Sequence, residues 1–132
     1  MVTVLFACVH NAGRSQMAAA WFNRLVDASQ ARARSAGTQP AEQVHPVVVE
    51  AMREVGIDLS TARPRRLTTP AAESAQWLIT MGCGDACPLV PGVKRDDWAL
   101  DDPAGLPLSR VRSIRDDIKR RVQAFIDRER LA

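Results

Sequence analysis

Val4-Leu5-Phe6-Ala7-Cys8-Val9-His10-Asn11-Ala12-Gly13-Arg14-Ser15-Gln16-Met17-Ala18 is the stretch from which the fold can be read. Residues 2–7 are apolar on both faces rather than alternating, the pattern of a parallel strand buried between two layers. From Arg14 to Ala28 the chain is rich in helix formers, with Met17, Trp21, Leu25 and Ala28 on one stripe. A strand, a tight loop and a helix therefore meet around Cys8. Such a loop directs backbone N–H groups and a helix N-terminus at one point, which makes it an anion site. Arg14 adds a planar fork suited to a tetrahedral oxyanion. The same positive surroundings favour the thiolate, the nucleophilic form of cysteine. An inert thiol buried at a strand end would need neither Arg14 nor Ser15 beside it.

The rest of the chain repeats the alternation. Ala31 to Thr38 alternates small and charged residues, as an edge strand does. Val44 to Val55 keeps a helical period through Val44, Val47, Val48, Ala51, Met52 and Val55, and Gly56 ends it. Leu59 to Pro70 is basic and proline-marked, with Arg63, Arg65 and Arg66 close together; it reads as a solvated connection or as a positive rim near the site. Ala75 to Met81 is a further strand, running into the breaker-rich loop Gly82-Cys83-Gly84-Asp85-Ala86-Cys87-Pro88. Val93 to Ala99 reads as a short last strand. Leu108, Val111, Ile114, Ile118, Val122, Phe125 and Ile126 mark a long amphipathic helix, whose Arg/Asp/Lys face is expected to be solvated. Strands alternating with helices imply an α/β fold with a parallel sheet and helices on both faces. Ligands in such sheets sit beyond the carboxyl ends of the strands. Cys8, Cys83 and Asp101-Asp102-Pro103 each follow a strand, and so can meet at one edge.

Composition narrows the function. The 132 residues are the size of one domain, without repeats or a linker. The net charge of +3, from 18 basic and 15 acidic residues spread along the chain, does not point to nucleic acid. The apolar run at the N-terminus is too short for a signal peptide or a membrane span, so a cytosolic chain with no membrane partner is expected. Three cysteines fit catalysis or redox exchange in a reducing compartment better than a disulfide framework. No zinc-like spacing accompanies them: the chain lacks Cys-x2-Cys, and only His10 and His45 could add imidazole. No metal or cofactor is expected. Cys83 and Cys87 read as redox partners or as structural thiols, and Asp102 as an acid or as a cap before Pro103.

Three motifs in order carry a family resemblance. Cys8 to Ser15 after the first strand resembles the phosphate-binding loop of the low-molecular-weight protein tyrosine phosphatases. Ser15-Gln16-Met17-Ala18, Thr80-Met81-Gly82-Cys83 through Cys87-Pro88, and Asp97-Trp98-Ala99-Leu100-Asp101-Asp102-Pro103-Ala104-Gly105 resemble the arsenate reductases built on that fold. The resemblance implies a three-layer fold, a four-stranded parallel sheet flanked by helices. It further implies reduction of arsenate to arsenite. In that scheme Val9, His10, Asn11, Ala12, Gly13, Arg14 and Ser15 bind the oxyanion, and Cys8 is the nucleophile. Ser15 hydrogen-bonds its thiolate, Asn11 holds the loop's unusual backbone, and Asp102 is the general acid. Cys83 and Cys87 form a disulfide relay that thioredoxin reduces. His10 is expected to point its side chain outward and to take no catalytic part.

The pattern departs from relatives in two places. Thioredoxin-coupled relatives usually space the second and third cysteines further apart, and many carry a glutamate at the Ala19 position that helps bind a monovalent cation near Asn11. Physics sets a condition on the relay. An extended chain would separate Cys83 from Cys87 by roughly 14 Å, whereas a disulfide holds the Cα atoms about 5.5 Å apart; the segment must turn, which Gly82 and Gly84 ease. Competing readings are an arsenate reductase that uses Cys8 with mycothiol or glutathione, a phosphatase of phosphotyrosine or small esters, and a non-enzymatic oxyanion-binding or redox-sensing module. Ala104 and Gly105 after Asp102-Pro103, and a chain without tyrosine, weigh against phosphotyrosine. A monomer is expected.

Overall fold

The computed structural model describes residues 1–82 and 90–132. β1 (Val2–Cys8), β2 (Ala31–Gly37), β3 (Trp77–Thr80) and β4 (Lys94–Asp97) form one sheet in the order β2-β1-β3-β4. Every pairing is parallel, with register running from Val2↔Ala31 to Cys8↔Gly37 on one side of β1 and from Val4↔Trp77 to Ala7↔Thr80 on the other. Parallel neighbours need crossover connections. α1 (Arg14–Leu25) supplies the first, α2 (Pro46–Arg53) and α3 (Thr69–Glu73) lie between β2 and β3, and α4 (Leu108–Glu129) follows β4. The α/β architecture expected from the sequence is the one observed, and β2 is an edge strand as its alternating pattern predicts.

The continuous apolar run of β1 has a simple cause. Successive side chains point to opposite faces, and both faces are covered. Val4, Phe6 and Cys8 join a large core with Met17, Phe22, Ile118, Val122 and Phe125 from α1 and α4. Leu5 and Ala7 join a smaller one with Ala36, Ala72, Ala75 and Leu78. Aromatic edges lock the larger core: Phe6 and Phe22 centroids lie 6.0 Å apart, and Trp77 meets Phe125 at 5.1 Å and 88°.

Element ends differ from the sequence reading where local chemistry intervenes. α1 stops at Leu25, so Ala28 lies exposed beyond it, and Phe22 rather than Ala28 completes the buried stripe. α2 begins at Pro46, whose fixed φ and missing N–H suit a first turn, with His45 as its N-cap. β3 and β4 are shorter than the segments 75–81 and 93–99 read as strands from the sequence.

The polar face of α4 is not wholly solvated. Arg115 is buried; its Nη1 donates to the Ala51 carbonyl at 2.8 Å and to Glu54 Oε1 at 2.9 Å. Arg112 forks the same carboxylate through Nε at 2.8 Å and Nη2 at 2.6 Å. A helix that must hold the end of α2 therefore keeps a buried cation on its packed side. The Arg112 hydrogen bond, ahead of that from Arg115, draws the Glu54 carboxyl from its ordinary 4.5 down to about 2. A folded value below the unfolded one gives stabilisation that is complete above about pH 4.5 and is lost as the pH falls toward 2. Glu54→Gln is accordingly expected to have a lower Tm than wild type at pH 7. The two melting curves should converge near pH 2. A gap that stays constant with pH would mean that the charged clasp is not what α2 loses.

Candidate active site

The loop from Cys8 to Gly13 is held from outside by its carbonyls. Cys8 O accepts from Thr38 N at 3.2 Å, Val9 O from Gln39 N at 2.7 Å, and His10 O from Ala41 N at 3.0 Å. Ala12 O accepts from His45 N at 2.9 Å, and Gly13 O from Met17 N at 2.9 Å. The remaining carbonyl, that of Asn11, accepts from Gln16 Nε2 at 3.2 Å. With the carbonyls engaged outward, the N–H groups of Val9, His10, Asn11, Ala12 and Gly13 find no acceptor among the described residues. Together with the start of α1 they form a cradle of donors for an anion. Asn11 sits at φ 49°, a left-handed conformation that asparagine tolerates better than most residues.

The chain from Thr38 to His45 can anchor the loop only because β2 ends close beneath it. A Cβ on Gly37 would lie 2.7 Å from Val9 O and 2.9 Å from Asn11 N, both backbone atoms. Gly37→Ala must push the loop aside, and overpacking of that kind costs about 1–3 kcal/mol. Urea unfolding of the variant should show that loss as a lower midpoint with an unchanged slope.

Side chains then set the thiol. Cys8 is 2% exposed at the end of β1, and its Sγ lies 2.9 Å from Ser15 Oγ. Asn11 Nδ2 donates to Ser15 Oγ at 2.7 Å. A hydroxyl that accepts from an amide has its own hydrogen free to give, so the Ser15 O–H is set to donate to Cys8 sulfur. Asn11 Oδ1 is held in turn by Gln16 Nε2 at 3.2 Å and by the Arg65 N–H at 2.9 Å. Gln16 also donates to the Arg63 carbonyl at 3.3 Å. Residues 63–65 are thus tied to the loop, where the sequence allowed a merely solvated connection. The sequence assigns Gln16 no site role and offers Arg65 only as part of a basic stretch that could rim the site. No local signal marks a main-chain N–H that reaches a side chain 54 positions away.

The connection after β4 reaches the same place. Arg14 is 8% exposed; its Nη1 donates to Leu100 O at 3.2 Å, and its Nη2 lies 3.8 Å from Asp102 Oδ2. Asp102 also accepts from Ala104 N at 3.0 Å through Oδ1, so it caps its own turn while facing Arg14. Pro103 seats this turn on the loop, since a Cβ on Gly13 would meet its ring carbon at 2.5 Å. The structure therefore brings Cys8, Asn11, Arg14, Ser15 and Asp102 together and leaves His10 exposed. Cys83 and Cys87 lie outside the described residues. Gly82, immediately before Cys83, is against Arg14: a Cβ there would lie 2.4 Å from Nη1, and its φ is +89°. Gly82, the last described residue after β3, is thus placed at the guanidinium.

Chemically, the site offers a thiol beneath an N–H cradle, a cationic fork and a half-exposed carboxylate at the mouth. It suits attack by sulfur on a tetrahedral oxyanion. Among the described residues no group of three His, Cys, Asp or Glu side chains could hold a metal ion.

The family model for low molecular weight phosphotyrosine protein phosphatase matches residues 3–132. A Halobacterium salinarum protein is 44% identical over 128 residues, covering 92% of this chain and 89% of its own. The arsenate reductase of Staphylococcus aureus is 37% identical over 130 residues, covering 96% of this chain and 97% of its own. Among solved structures, a thioredoxin-dependent arsenate reductase of Corynebacterium glutamicum is 39% identical with a TM-score of 0.86. That match covers 99% of this chain, which spans 63% of the Corynebacterium chain.

Proposed function

Because this chain belongs to the low molecular weight phosphotyrosine protein phosphatase family, we propose that it turns the phosphate loop to redox use and reduces arsenate to arsenite. The observation that carries the reading is the loop itself. Its carbonyls are tied to the chain around it, and the N–H groups of residues 9–13, which follow Cys8, find no acceptor among the described residues. Relatives named arsenate reductase, and the Cys83-x3-Cys87 pair that follows Gly82, favour arsenic over phosphorus as the centre attacked.

In the proposed cycle the N–H groups of Val9, His10, Asn11, Ala12, Gly13, Arg14 and Ser15 and the Arg14 guanidinium hold three arsenate oxygens. The Cys8 thiolate, stabilised by the Ser15 hydroxyl, attacks arsenic. Asp102 gives its proton to the opposite oxygen, which leaves as water, and an S–As(V) bond has formed. The Cys83 thiolate then attacks Cys8 sulfur. A Cys8–Cys83 disulfide forms, and the S–As electron pair stays on arsenic, which departs as arsenite, As(III). Cys87 attacks Cys83 next, making the Cys83–Cys87 disulfide and returning Cys8 as thiolate. A dithiol donor of the thioredoxin class takes up that disulfide by exchange. Residues 1–132 act in this scheme as one catalytic unit in a reducing, cytoplasmic setting. No described helix is long and apolar enough to cross a membrane.

Arsenate turnover by Cys83→Ser and Cys87→Ser, with thioredoxin or with mycothiol or glutathione as donor, tests the relay. Both variants should lose steady-state turnover with thioredoxin. Mass spectrometry after one turnover should show a Cys8–Cys83 disulfide trapped in Cys87→Ser. Full activity of Cys87→Ser with thioredoxin would remove the third cysteine from the cycle. Activity of both variants with a small thiol would replace the relay by single-cysteine chemistry. Rapid hydrolysis of an aryl phosphate without arsenate consumption would make the chain a phosphatase.

A further inference from the structure

A second polar concavity, of about 310 Å³, lies beside β2, the start of α1 and the chain from Ala62 to Arg65. Gln16, Arg34, Ser35, Arg63 and Arg65 are among its walls, whereas Cys8, Arg14 and Asp102 are not. No acidic residue lines it among the described residues. Arg34, Arg63 and Arg65 are exposed, and none of the three takes part in an ion pair among the described residues. Like charges gathered without counter-charges repel one another, and an anion between them relieves that repulsion. The backbone under them is fixed. Gly37 N donates to Arg65 O at 2.8 Å, Gln16 Nε2 to Arg63 O at 3.3 Å, and Arg65 N to Asn11 Oδ1 at 2.9 Å. Arginines carried on a fixed backbone lose less freedom on binding than arginines on a loose one.

We infer that this concavity is a second anion site, separate from the Cys8 loop, which takes a small multivalent oxyanion of the phosphate class. Arg63 and Arg65 of the basic stretch, whose side chains the Cys8 chemistry leaves unused, are then binding residues. The backbone of that stretch is also a brace for Asn11, through which an anion bound there is linked to the Cys8 loop. The assignment does not depend on whether arsenate or a phosphate ester reacts at Cys8.

The test follows backbone amide shifts during titration with inorganic phosphate, against chloride at equal ionic strength. Wild type should give two saturating curves, one for residues 9–15 and another, with a different midpoint, for residues 33–35 and 62–65. In Arg14→Ala the second curve should survive. In Arg63→Gln/Arg65→Gln the second curve should weaken at least tenfold while the first persists. Coincidence of the two wild-type curves, or loss of both in a folded Arg14→Ala, overturns the second site, because one binding event then explains both. Equal shifts with chloride overturn it as well, since they reduce it to ionic screening. Should either variant fail to fold, the comparison of the two wild-type curves and the chloride control still decides.

Discussion

Cys8→Ser is expected to lower kcat/KM for arsenate by about 10⁴-fold or more, the scale on which removal of a covalent nucleophile is felt. The chain should still fold. Serine is close to cysteine in size, and at 2% exposure the new hydroxyl remains beside Ser15 Oγ, which can pair with it. What disappears is the nucleophile: a hydroxyl with no adjacent base stays protonated, and nothing among its neighbours takes its proton. The N–H cradle, held by carbonyl bonds that do not involve the thiol, should survive. The variant is therefore predicted to bind arsenate or phosphate while consuming neither, as isothermal titration alongside a turnover assay will show. Retention of activity within tenfold of wild type would move the nucleophile elsewhere and undo the proposed cycle at its first step.

Arg14→Lys comes second in size. The charge is kept, but the fork is lost. Arg14 spans the site through two nitrogens, one 3.2 Å from Leu100 O and the other 3.8 Å from Asp102, and Gly82 lies against Nη1. An ammonium ion cannot hold both contacts and also reach an oxyanion side-on. A loss of about 10²–10³-fold in kcat is expected, the scale for one oxyanion donor. KM should change less, because the donor matters most where charge develops in the transition state. Steady-state kinetics with arsenate reads the split. A change confined to KM would mean that Arg14 binds substrate and transition state alike.

Much of this was legible before the structure. The buried strand, the loop and the helix around Cys8 follow from short-range patterning, as do the edge character of β2 and the apolar stripe of α4. Boundaries were less so, because Pro46 and the true end of α1 depend on one or two residues. The supports of the loop were not legible at all. Gln16 reads as one polar residue in a helix, Arg65 as one of several surface arginines, and Thr38, Gln39, Ala41 and His45 act through main-chain N–H groups that any residue type carries. Arg115 belongs with them. Its place on a charged helix face gave no sign that Ala51 and Glu54 would enclose it.

Sequence alone thus determined the chemistry available at the carboxyl end of β1: a thiol, a fork-shaped cation, a hydroxyl and an asparagine within eight residues. It could do so because those groups lie within a few bonds of one another, where local geometry leaves few alternatives. The tertiary structure decided what faces them. Asp102 comes to within 3.8 Å of Arg14 across 88 positions of chain, Arg65 steadies Asn11, and the 38–45 segment turns the loop's carbonyls away from the sulfur. Those contacts exist because parallel strands place their carboxyl ends at one edge of the sheet. A pattern of residues along the chain records that arrangement only indirectly, through what each segment must bury.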